Sequence, residues 1–231
     1  YGRIFDLPTL EADETLLHQT VDTFASVGTT DVNWTEKLWL QVCARDGSLQ
    51  ALFGLGKYVN RNVLDAFGGA SRGTEQWTVR ASRALHDDPT RVGVGPLHYD
   101  VVEPLSAVRI RLDPTDEQPI AFDLTVRGVV PARMEDRELH RSPHAQRVVK
   151  DVVRYHQTGV AEGWIEVEEQ RTEVRPDGWV GTRDHSWGVR MQVGDPIPDG
   201  EPSPRRRDPQ SFTSWAPWLM ERTDGSQYAL F

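Results

Sequence analysis

Apolar residues recur at every second position along much of this chain. From Trp34 to Ala44, Leu38, Leu40 and Val42 alternate with Trp39, Gln41 and Cys43. Successive side chains of a strand point to opposite faces, so this stretch reads as a strand with two differently used faces. Strand signals recur at Ala51 to Val59, Gln76 to Ala84, His98 to Val102, Ala107 to Asp113 and Ile120 to Val129. In the last two, Val108, Ile110 and Leu112 alternate with Arg109, Arg111 and Asp113, and Ile120, Phe122, Leu124 and Val126 with Asp123, Thr125 and Arg127. The intervening Asp113-Pro114-Thr115-Asp116 has turn chemistry and predicts a hairpin. Further strands are expected near Gly163 to Glu168 and Arg171 to Val174, then a Pro176-Asp177-Gly178 turn and a strand from Trp179 toward Arg183, paired as a meander.

Two stretches carry helical spacing. Leu16, Leu17, Val21 and Phe24 follow an acidic first turn of Glu11, Asp13 and Glu14, which predicts one helix over Thr9 to Phe24. Between Ser142 and Val153, Pro143 can open a helix whose apolar face is Ala145, Val148, Val149, Val152 and Val153, and helix is favoured there over strand. Gly194 to Gln210, rich in Pro, Asp, Gly and Arg, reads as a loop excursion, after which Trp215 and Trp218 point back to packed structure. Many short strands with close turns argue for an all-β protein with minor α content, a sandwich or a closed barrel. A closed barrel also removes the exposed sheet edges and offers an interior for one ligand.

Composition narrows the function. The 231 residues carry a net charge of −9 and a pI near 5.3, which disfavours binding to phosphate backbones, so no nucleic-acid partner is expected. The basic Arg205-Arg206-Arg207 reads as a solvated loop. A single cysteine, Cys43, excludes an internal disulfide framework and a Cys-based zinc cluster, and its alternating surroundings suit a buried structural thiol. No transmembrane run or leader pattern is seen, so a cytoplasmic protein is expected. The missing initiator Met and the strand-like ending at Phe231 suggest a fragment of a longer protein. A homo-oligomer stays open.

The chemistry concentrates in Gly181 to Arg190, which places Asp184, His185, Ser186 and Trp187 in succession between Arg183 and Arg190. If the run is extended, Asp184, Ser186 and Gly188 share one face, and His185, Trp187 and Val189 the other. Such alternation disfavours an Asp-His-Ser triad, whose members converge from separate elements, and no G-x-S-x-G elbow is present. The competing reading of the run is structural, an Arg–Asp ion pair and a tryptophan capping a barrel end. A second cluster, Arg154-Tyr155-His156-Gln157-Thr158-Gly159, offers either a shared site, in which His156 and Gln157 orient a ligand or donate protons, or loop-anchoring hydrogen bonds. No metal site is expected: His140 and His144 stand four apart without an accompanying H-E-x-x-H pattern. Gly54-Leu55-Gly56 and Gly93-Val94-Gly95-Pro96 lack the context of a phosphate cradle. Eight tryptophans, among them Trp34, suit the wall of an apolar cavity, where an indole offers a large surface and a π face for a cation.

Six short motifs occur in a familiar order: Trp34-Thr35-Glu36, Gly95-Pro96-Leu97, Glu103-Pro104-Leu105, Phe122-Asp123-Leu124, Arg154 to Gly159, and Arg183-Asp184-His185-Ser186-Trp187-Gly188. Over Trp34 to Arg190 the chain resembles the hydroxyneurosporene-synthase-like (carotenoid hydratase) or AttH-like proteins, related to tocopherol cyclases. The resemblance implies two consecutive lipocalin-like (calycin) antiparallel β-barrels or half-barrels. After an N-terminal helical segment, residues 1–30, the first would span 31–150 and the second 151–231, with few residues left to complete it. It also implies cofactor-free, acid-catalysed hydration or cyclisation of an isoprenoid or terpenoid-like substrate in a tryptophan-lined pocket. Asp184, His185 or His156 would supply the proton, with Arg183 holding Asp184. Trp187 would steady the cation, and Tyr155, Gln157, Ser186 and Trp34 would contact the substrate. The alternative is a non-catalytic carrier of a steroid, terpenoid or fatty acyl ligand.

Overall fold

The computed structural model describes residues 11–14, 16, 23–85, 90–141, 148–190, 193 and 216–230. Four strands open the sheet, β1 (Trp34–Ala44), β2 (Gln50–Tyr58), β3 (Val63–Arg72) and β4 (Glu75–Ala84). They are followed by β5 (Gly93–Val94), β6 (Leu97–Glu103), β7 (Ala107–Leu112), β8 (Ile120–Gly128), β9 (Arg133–Met134) and β10 (Glu138–Arg141). The long β11 (Val148–Val167), β12 (Gln170–Val174) and β13 (Trp179–Val189) complete the main sheet, and β14 (Trp218–Glu221) and β15 (Gln227–Leu230) form a separate two-stranded one.

The main sheet runs β4-β3-β2-β1-β13-β11-β8-β7-β6-β5, with all its pairings antiparallel, and curls into a nearly closed barrel. The seam lies between β4 and β5. There Arg83 of β4 donates from Nε to the Gly93 carbonyl (3.1 Å) and from Nη2 to the Arg91 carbonyl (2.6 Å). The expected all-β, lipocalin-like architecture is present. One barrel takes in residues 34–189, and the division expected between residues 150 and 151 falls inside β11.

Alternation decides what enters the barrel. One face of β1 contributes Leu40 and Val42, joined by Phe53, Leu97, Ile110, Leu112, Phe122, Leu124 and Ile165, all essentially without exposure, so one end of the barrel is packed solid. A Cβ at Gly68 would come within 2.7 Å of Leu97 and 3.2 Å of Phe122, so that glycine makes room for the packed end. Gly54, which the sequence offered no use for, lies under the ring of Phe67 on the outer face.

β11 is the spine of the barrel. Its first part, Asp151 to Val160, pairs with β13, and Gly159 to Val167 pairs with β8 on the opposite edge. β12 then pairs with Gly163 to Val167, so β12 and β13 lie end to end along β11. The chain reverses at Glu168-Glu169, both with positive φ, and Pro176-Asp177-Gly178 joins β12 to β13 without reversing the strand order.

Two helical expectations are corrected. Val148 to Val153 are strand, not helix: their β-branched side chains suit a pleated surface, and Glu138 to Arg141 and β13 supply the hydrogen-bonding partners. Of the helix expected over Thr9 to Phe24, the described part is a 3₁₀ turn at Glu11–Glu14 with Phe24 in a turn, and Leu17 and Val21 lie outside the described residues. His144, Arg205 to Arg207, Gly194 to Gln210 and Trp215 also lie outside them. No helix among the described residues is long and apolar enough to cross a membrane.

Candidate active site

The end of the barrel opposite the packed residues is hollow, with a cavity of about 350 Å³. Its apolar wall includes Leu38, Leu55, Leu64, Tyr99, Val101 and Leu105. Its polar lining is Glu36, Lys57, Arg91, Tyr155, Arg183 and His185. The strand register explains this set. Glu36 stands one pleat from Leu38 on the inner face of β1, and pairing of Leu38 with His185 and of Tyr155 with His185 puts all of them on one inner surface. Exposure falls from the mouth, where Leu105 is 61% and Val101 56% exposed, to the floor, where Tyr99 is 7% and Arg183 4%.

A hydrogen-bonded line crosses the wall. His185 Nε2 lies 2.7 Å from Glu36 Oε1, and His185 Nδ1 lies 3.1 Å from the Tyr155 hydroxyl. The hydrogen bond from His185 holds the Glu36 carboxyl below its ordinary range, against the opposing effect of burial. An ionised carboxylate only accepts, so Nε2 carries a proton toward it, and Nδ1 is left to exchange one with Tyr155. Burial raises the Tyr155 phenol, and it raises Tyr99 to about 12, so both stay protonated at neutral pH.

Arg183 forms the floor. Its Nε and Nη2 donate to the Gln157 side-chain oxygen at 2.9 and 2.6 Å, and its guanidinium stands 5.5 Å from the Tyr155 ring centre. The Gln157 amide nitrogen in turn donates to the carbonyls of Leu105 (2.7 Å) and Val130 (3.1 Å), tying the floor to the loops of the mouth. Gly128 is required beside it, because a Cβ there would lie 2.2 Å from the Gln157 amide nitrogen.

The residues expected to share a site divide between two faces. His185, Tyr155 and Arg183 line the cavity, Gln157 supports its floor, and Trp187 meets His185 edge to face at 5.4 Å. Asp184, His156 and Ser186 face outward, into a separate polar cluster. There His156 Nε2 lies 2.5 Å from Glu135, Arg154 lies 3.7 Å from Asp184 and 3.2 Å from Glu135, and Arg190 donates to Ser186 and Thr35. Burial raises the Asp184 carboxyl, with Arg154 and His156 working against it. Arg183 therefore holds Gln157, not Asp184, since neighbours in a strand point opposite ways.

Trp34 begins β1 opposite Val189 and is not part of the cavity lining. None of the described tryptophans is, so the expected indole wall is replaced by leucine, valine, proline and tyrosine. Trp179 packs in the core, and Trp77 and Trp164 stand against Arg72 and Arg171. Cys43 is half-buried on the outer face beside Gln41 and Gln50, not in the core. Sequence reasoning missed Glu36, Lys57 and Tyr99 as cavity residues. An acid in phase with Leu38, Leu40 and Val42 was the available signal for Glu36.

Comparison with curated proteins finds no match. Solved structures that resemble the chain include the following two. An AttH-like protein from Nitrosomonas europaea is 12% identical with a TM-score of 0.54, over 70% of this chain and 53% of that one. Kievitone hydratase from Nectria haematococca is 12% identical with a TM-score of 0.47, over 71% and 51%. The chain spans about half the length of each, and at this identity the first likeness is one of fold. The barrel and its cavity lie within residues 10–231, which match a family of unknown function (DUF8625), and the chain belongs to that family.

Proposed function

We propose that the cavity binds an apolar, isoprenoid-like alkene and that the Glu36–His185–Tyr155 line catalyses its hydration, or its cyclisation where an internal hydroxyl replaces water. The observation that carries this reading is the hydrogen-bonded line of titratable groups set into the wall of an otherwise apolar hollow. In the hydration, the imidazole of His185, protonated on both nitrogens, passes its Nδ1 proton through the Tyr155 hydroxyl to one alkene carbon, a water oxygen bonds to the other, and the proton released by that water returns through Tyr155 to Nδ1. Glu36 fixes the imidazole and balances its charge, and the surrounding leucines exclude bulk water. Asp184 and His156 face away from the cavity and take no part in this scheme.

Incubation with prenylated alkenes in heavy water tests the reading. The wild-type protein is expected to place one deuterium on carbon per hydroxyl formed. His185→Gln should lose about 10²- to 10⁴-fold in turnover with binding retained, the usual scale of general acid–base catalysis, whereas Asp184→Asn stays within about two-fold. Binding without any deuterium incorporation would instead make the protein a carrier.

A further inference from the structure

Arg183 is buried, yet among the described residues no carboxylate forms an ion pair with it. Its side-chain oxygen acceptor Gln157 is neutral and takes up two of the five guanidinium N–H groups, and the phenols of Tyr99 and Tyr155, which also interact with it, are neutral too. A buried cation without a counter-charge is costly to keep, and the fold nevertheless builds a support for it: Gln157 orients the fork, and Gly128 clears the space for Gln157. Among the described lining residues the one carboxylate, Glu36, is already bonded to His185 and has Lys57 near it, so it offers Arg183 no counter-charge.

We propose that the ligand is an apolar molecule bearing one carboxylate, which seats on Arg183 at the floor between Tyr99 and Tyr155, with the apolar part running past His185 toward Val101 and Leu105 at the mouth. A guanidinium presents paired N–H groups that match the two oxygens of a carboxylate, and in a dry site such a bond is strong. The proposal rests on the hydration reading for the chemistry after binding, and it removes a difficulty in that reading. A cation developing beside His185 would face the unpaired charge of Arg183 across a medium that screens poorly, and a seated carboxylate cancels that repulsion. The exposure gradient sets the direction, because the exposed apolar rim suits a tail and the buried floor suits a charged head.

Calorimetric titration with decanoate and with decanol separates head-group recognition from simple apolar filling. The wild-type protein is expected to bind decanoate about ten-fold or more tightly than decanol. Arg183→Gln should abolish the preference while leaving decanol affinity in place, which also shows that the variant is folded. Arg171→Gln, a cation on the outside of the barrel, should keep it. Equal affinity of the wild type for both probes, or a preference that survives Arg183→Gln, overturns the proposal. Equal affinity together with turnover of neutral alkenes would leave the hydration reading standing, and failure of both probes to bind would end both.

Discussion

Gln157 shows how much one side chain can carry. Its oxygen serves the guanidinium of Arg183 and its nitrogen serves two loop carbonyls, so floor and mouth share one amide. Gln157→Leu would keep the volume and remove all of these bonds, leaving a buried cation without its acceptor. A loss of about 3 kcal/mol in urea unfolding is expected, well above the loss of one neutral hydrogen bond. Glu36 makes a prediction in pH. Its folded carboxyl lies below the ordinary value of 4.5, so its stabilising contribution is full above that pH and is lost as the pH falls through the folded value. Unfolding curves of the wild type and Glu36→Gln should therefore converge on acidification. At this scale alternation correctly separated Asp184 from His185, because strand geometry alone sets that division. What it could not give was which face of β13 meets the hollow, since that depends on pairing with residues some 150 positions away in sequence, as between Glu36 and His185.

At the scale of elements, strands with clean period-two patterns were legible: β1, β7 and β8 match their expected runs to within a residue or two. β3 escaped because Gly68, Gly69 and Ala70 interrupt its alternation. The first part of β11 was misread because Val148, Val149, Val152 and Val153 also fit one face of a helix, and only the neighbouring strands arbitrate. The break between β11 and β12 was expected from the strands on either side, but its turn type carried no signature, for a chemical reason. A two-residue loop with both φ positive usually announces itself as Asn-Gly, and here it is Glu168-Glu169, at φ of 51° and 65°. Replacing Glu169 with Gly should relieve the left-handed backbone and stabilise the fold by about 1 kcal/mol, measured as a higher denaturant midpoint at unchanged slope.

For the whole molecule, closure depends on a seam without a full ladder. Arg83 bridges it with side-chain donors to two carbonyls of the opposite segment, where a continuous barrel would use backbone amides. Arg83→Met keeps the aliphatic stem and removes both bonds. It should cost about 1–3 kcal/mol and speed hydrogen exchange at the amides of Gly93 and Val94 before those of β8.

The division of β11 has a broader meaning. Positions 153–157 shape the hollow, whereas positions 161–167 belong to the packed end, and a single uninterrupted strand serves both. Under the proposed function, selectivity and foldability are thus written on separate stretches of one segment. Substitutions could then retune which molecule is accepted without renegotiating how the barrel assembles, and this arrangement suits a scaffold to diversification.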